Sequence, residues 1–119
     1  MTDSYDSRRV YEHLVGFVDH NTGGYQPAVT PVEPVIANLS RDNYKHEWVR
    51  KALRKAKTEG DLVCITKEGR GKFVAVGSVE SIREKNSSYA ERRVDPTGWT
   101  IGLANQLIQM MEDDDHHDY

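Results

Sequence analysis

The chain has 119 residues and a formal charge of −3, enough for one domain that buries a core without disulfides or metals and too few for two independent ones. No apolar run approaches the ~20 residues of a membrane-spanning helix, and the polar start MTDSYDSRR lacks the apolar centre of a signal peptide, so a cytoplasmic protein with no membrane partner is expected. Cys64 is the only cysteine, which excludes an intramolecular disulfide, and its place in Leu62-Val63-Cys64-Ile65 marks it as a buried, inert thiol.

In chain order, Val10, Tyr11, Leu14, Val15, Phe17 and Val18 recur at helical spacing and predict a first helix from Ser7 to Asp19. Asn21-Thr22-Gly23-Gly24 stops it. Tyr25 to Val29 contains Pro27 and can be at most an edge strand. Thr30-Pro31-Val32-Glu33 has the form of a capping box, although Pro34 allows the helix to begin there instead; Val32, Val35, Ile36 and Leu39 then make one apolar stripe ending near Ser40. The third helix, Tyr44 to Glu59, sets Trp48, Val49, Ala52, Leu53 and Ala56 on one face and Glu47, Arg50, Lys51, Arg54 and Thr58 on the other, with Gly60 as its stop.

Leu62 to Thr66 and Phe73 to Val76 read as strands of a hairpin turned at Gly69 and Gly71. A short helix is expected from Val79 to Lys85, while residues 86 to 93 read equally as helix or loop. After a break at Asp95-Pro96-Thr97-Gly98, a last helix to Met111 carries two adjacent apolar stripes, wider than a surface helix needs. It either packs across the first helix or forms a two-fold interface, and Ile101, Leu103, Leu107, Ile108 and Met111 are the expected interface of a homodimer. Residues 112–119 are polar and are expected to be disordered. The fold class is therefore mainly α with a small β-hairpin (α+β).

Charge is unevenly placed. Between Arg41 and Lys72 ten Lys/Arg face five Asp/Glu, a local net of +5, whereas residues 1–40 carry −3 and residues 73–119 carry −5. Ten of sixteen basic residues in about a quarter of the chain are the footprint of a surface that meets a polyanion, most often nucleic acid. An acidic total does not oppose this, because the field at a site is set within a Debye length of roughly 8–10 Å.

Three helices followed by a hairpin, with Trp48-Val49-Arg50-Lys51-Ala52-Leu53-Arg54-Lys55-Ala56 and then Glu59-Gly60-Asp61-Leu62-Val63, resemble the winged helix-turn-helix family. The hairpin Ile65 to Val76 is similar to the wing. The resemblance covers residues 7–77 and leaves 78–111 as a C-terminal helical extension. It implies a non-enzymatic, sequence-specific regulator of transcription that binds double-stranded DNA, in a prokaryote or one of its viruses. On that reading Arg50 and Arg54, one turn apart, face the major groove with Glu47 and Lys51, and Arg41, Asn43, Tyr44 and Lys45 meet bases or phosphates near the helix start. Arg70 and Lys72 reach an adjacent backbone or minor groove. The alternative is a winged-helix module that binds protein in a replication, partition or transcription complex.

No catalytic, cofactor or metal site is expected. His13, His20 and His46 are scattered, His116-His117 lie in a charged tail whose ordering around an ion would cost backbone entropy, and Gly69-Arg70-Gly71-Lys72 lacks the Gly-x-x-x-x-Gly-Lys-Ser/Thr pattern of a phosphate loop.

Overall fold

The structure, a computed structural model, describes residues 7–41, 44–92 and 95–116. Helix α1 (Ser7–His20) is followed by a two-residue strand β1 (Thr30–Pro31), helices α2 (Val32–Arg41) and α3 (His46–Glu59), strands β2 (Leu62–Lys67) and β3 (Gly71–Val76), and helices α4 (Val79–Glu91) and α5 (Trp99–His116). The strands form one antiparallel sheet in the order β1-β3-β2. Mainly helical, with a small sheet, the fold has the expected α+β character. No helix among the described residues is long and apolar enough to cross a membrane.

The sheet is covered on both faces, which explains why its two long strands read as unbroken apolar runs. In the register Leu62↔Val76, Val63↔Ala75, Cys64↔Val74, Ile65↔Phe73, successive pairs point to opposite sides. Leu62, Cys64 and Val74 pack with Val10, Leu14, Val18, Val35, Leu39, Val49 and Leu53 of α1, α2 and α3. Ile65, Phe73 and Ala75 pack with Ile82 of α4 and Leu103, Ala104 and Leu107 of α5.

The chain before α2 departs from the sequence reading. Residues 25–29 form no strand beyond an isolated bridge between Gly23 and Gln26; the edge strand is Thr30–Pro31, paired with Val74 and Phe73. Proline is tolerated on a sheet edge, where its missing N–H costs no ladder bond. Helix α2 starts at Val32, so Thr30 belongs to the sheet rather than to a capping box, and Glu33 lies 3.9 Å from Arg50. Helix α3 ends as expected at Gly60, which takes φ of 86° while Gly60 and Asp61 donate back to the Lys57 and Ala56 carbonyls.

Helix α4 runs six residues past Lys85, to Glu91. Its Asn86-Ser87-Ser88 stretch has weak helix propensity, but Asn86 and Tyr89 are buried against the rest of the molecule and packing overrides propensity. The Lys85 ammonium donates to the Asp19 carbonyl (3.2 Å), the Asp19 carboxylate (2.8 Å) and the Thr22 hydroxyl (3.0 Å), tying α4 to the C-terminus of α1, where a cation is favoured.

Helix α5 gives the largest correction. Leu103, Leu107 and Ile108 are only 4%, 2% and 6% exposed in the single chain, filling the core under the sheet, so they are not free to form a two-fold interface. Nor does the helix lie across α1; it packs on the sheet and on α4. Met111 is half-buried beside that core, and Ile101 is half-buried where its carbonyl accepts from Asn86 of α4. Helices α4 and α5 thus share a core with Ala28, Val29, Ile65, Phe73 and Ala75 and are part of the same body rather than an appendage. The helix also extends through residues 112–116, expected to be disordered, with Glu112 ion-paired to Arg83; residues 117–119 lie outside the described residues.

Asp95 starts α5. One carboxylate oxygen accepts from the Thr97 hydroxyl (2.8 Å) and the Gly98 N–H (3.0 Å), the other from the Thr100 hydroxyl and N–H (2.9 Å for the latter). These bonds, the Thr100 hydroxyl first, hold its pKa well below the usual 3.8. Because folding lowers this pKa, the stability Asp95 contributes is complete above pH 3.8 and disappears as pH falls toward the folded value. Urea melts of the wild type and Asp95→Ala should differ at pH 7 and converge progressively below pH 3.8; a gap that stays constant to pH 2 would mean the carboxylate is not the cap.

Candidate nucleic-acid interface

Helix α3 is placed by its apolar face. Val49, Ala52, Leu53 and Ala56 are buried against α1, α2 and β2, which leaves Lys45, His46, Glu47, Arg50, Lys51, Arg54, Lys55 and Lys57 exposed in or beside the helix. Trp48 is half-buried at the edge of the core, with the Lys45 ammonium 5.4 Å from its ring centre.

The expected contact residues divide into three groups. Arg50, Lys51 and Arg54 stand on the exposed side of α3 with Glu47, Arg41 is exposed at the end of α2, and Lys72 is exposed on β3 opposite Thr66. Arg50 lies 3.9 Å from Glu33, but both side chains are largely exposed, so the pair is screened and readily exchanged for another anion. Tyr44 and Arg70 are engaged elsewhere: Tyr44 is half-buried, its ring edge-on to His13 at 5.5 Å and its hydroxyl 3.2 Å from Nδ1, and the Arg70 guanidinium sits 4.6 Å over the ring of Trp99. Asn43 lies outside the described residues.

The hairpin tip is braced rather than free. Trp99, at the start of α5, stacks edge-on against Phe73 at 5.5 Å while receiving Arg70 on its face. Sequence reasoning missed Trp99, because only the packing of α5 beneath the sheet brings it to the hairpin. Lys57 and Lys72 approach Cys64 from α3 and β3; burial pushes this thiol's pKa up and the two lysines offset part of the rise. The two lysines, one on α3 and one on β3, line a single cleft with Cys64.

Two further groups hold the base of α3. The Tyr11 hydroxyl donates to the Asp61 carboxylate just beyond the helix, which pushes the Tyr11 pKa up to about 12 and keeps it a protonated strut. Lys55 lies 5.4 Å from the centre of the same ring. Among the described residues no group of three His, Cys, Asp or Glu could hold a metal ion. What the exposed side of α3 offers is a set of guanidinium and ammonium donors on a rigid helix, suited to phosphate oxygens and, through arginine, to the paired acceptors of guanine.

No protein family, curated protein or solved structure was found to match the chain.

Proposed function

We propose that the chain is a DNA-binding protein of the winged helix-turn-helix class. Within that class it is a sequence-specific regulator of transcription, reading duplex DNA with α3. The observation that carries this reading is the division of α3, which buries Val49, Ala52, Leu53 and Ala56 and holds Arg50, Lys51 and Arg54 outward on a rigid support. A helix enters the major groove only when one face is anchored and the other presents donors. The hairpin tip extends the basic surface, with Lys72 exposed and Arg70 held on Trp99.

Selection of bound molecules from randomised duplex DNA is the test. Enrichment of one motif is expected. Recovery of unenriched sequence would reject base readout, and failure to retain duplex at low salt would reject the class.

A further inference from the structure

The sheet is left unpaired along one side. In the order β1-β3-β2, strand β2 is an edge, and the Gly77 N–H that donates to the Asp61 carbonyl makes these two residues a hydrogen-bonded pair. Antiparallel ladders alternate, so Val63, Ile65 and Lys67 bond to β3, while the backbone groups of Leu62, Cys64 and Thr66 point away from it. Among the described residues no other backbone group bonds to Cys64 or Thr66 along that edge. Cys64 is half-buried and Thr66 exposed, and both line an open cleft of about 420 Å³ with Lys57 of α3 and Met110 of α5.

The two sides of the cleft differ in chemistry. Cys64 and Thr66 share the face of the sheet that packs on α3, and there the cleft is lined by the exposed Lys57 and Lys72. Val63 belongs to the opposite face, where Met110 and Met111 of α5 line it. Met110, at 47%, is one of two large apolar side chains left exposed among the described residues. An unpaired strand edge beside exposed apolar surface is a template for another strand. A second copy of the chain would bring its own Lys57 and Lys72 into the cleft, like charge against like. A strand with acidic residues meets opposite charge instead, and because side chains alternate along a strand, its other face is free to be apolar against the methionines.

We infer that β2 accepts an extended segment of a partner protein as a fourth strand of the sheet, its acidic side chains set against Lys57 and Lys72 and alternating with apolar ones against Val63 and Met110. Backbone hydrogen bonds to Cys64 and Thr66 hold the added strand, and the alternation of charge and apolar surface selects it. Lys72 is shared with the candidate duplex surface, so the test is made without DNA.

Calorimetric titration of the full chain with a capped peptide of about six residues, alternating glutamate and valine, tests the inference beside an isomer that groups the glutamates at one end. Saturable one-to-one binding of the alternating peptide alone is expected, with slowed amide hydrogen exchange at Cys64 and Thr66. Lys57→Glu should weaken it by roughly fivefold or more as attraction becomes repulsion, whereas Arg8→Glu, an exposed charge on α1 outside the cleft, should bind as the wild type does. Thr66→Pro removes an outward N–H that the hairpin does not use, so the fold should persist while binding is lost. Absence of saturable binding, equal binding of both peptides, unchanged exchange at Cys64 and Thr66, or full binding by Lys57→Glu would overturn the inference. So would a wild type that sediments as a dimer and is made monomeric by Thr66→Pro, which would give the edge to a second copy.

Discussion

Leu107→Glu should unfold the protein rather than divide it into monomers. Leu107 is 2% exposed and packs with Ile65, Phe73 and Ala75 under the sheet, so the substitution removes a buried leucine and sets a carboxylate against that apolar core. The leucine alone is worth about 2–5 kcal/mol and desolvation of the charge adds to this, together a large part of the roughly 5–15 kcal/mol that holds a domain of this size. Met110, three residues on, is 47% exposed, and Met110→Glu should shift the midpoint by no more than about 0.5 kcal/mol. Denaturant melts with sedimentation of both variants decide the matter. A folded Leu107→Glu protein of lower mass than the wild type would return this face of α5 to an intermolecular interface.

Gly77→Ala should be nearly as damaging, for a reason that lies in the backbone. A Cβ at this position would stand 2.0 Å from the Gly60 carbonyl oxygen and 3.0 Å from its carbon. Those atoms belong to the turn that ends α3, and the Gly77 N–H donates to the Asp61 carbonyl at 2.9 Å in the same contact, so no side chain can swing aside to make room. The end of the hairpin must pull away from the end of α3, at a cost of about 3 kcal/mol or more. Gly102→Ala is the matched control. It lies inside α5 with open space where its Cβ would go, and should gain about 0.5–1 kcal/mol. Equal midpoints for the two variants would mean that the α3 turn and the hairpin do not touch.

The elements with strong local patterns were legible before folding. The stripe Val10, Leu14, Val18, the two-faced α3 with its Gly60 stop, and the hairpin glycines all follow from spacing and turn chemistry. Strand β1 was not, because two residues, one of them proline, carry no period. The second half of α4 was hidden by Asn86-Ser87-Ser88, whose helicity comes from what they pack against. The excess apolar width of α5 was visible, but the surface it covers, the underside of the sheet, was not. The clue lay in the strands: Leu62 to Ile65 and Phe73 to Val76 are apolar without alternation, the pattern of a sheet buried on both faces, and α5 supplies the second cover. In the candidate interface, the outward side of α3 could be read from periodicity. The seating of Arg70 on Trp99 joins residues 29 apart and needed the packed α5 to bring them together.

The central claim, that the exposed side of α3 binds duplex DNA, is tested most directly by titrating a labelled duplex carrying the selected motif at several salt concentrations. For the wild type, log affinity should fall linearly with log salt concentration as phosphate counterions are released. Arg54→Ala, with its side chain exposed on α3, should lose about 1–3 kcal/mol for the motif, whereas Lys72→Ala should weaken binding to all duplexes and shallow the salt slope by about one. Equal, salt-independent binding by the wild type and both variants would contradict the account.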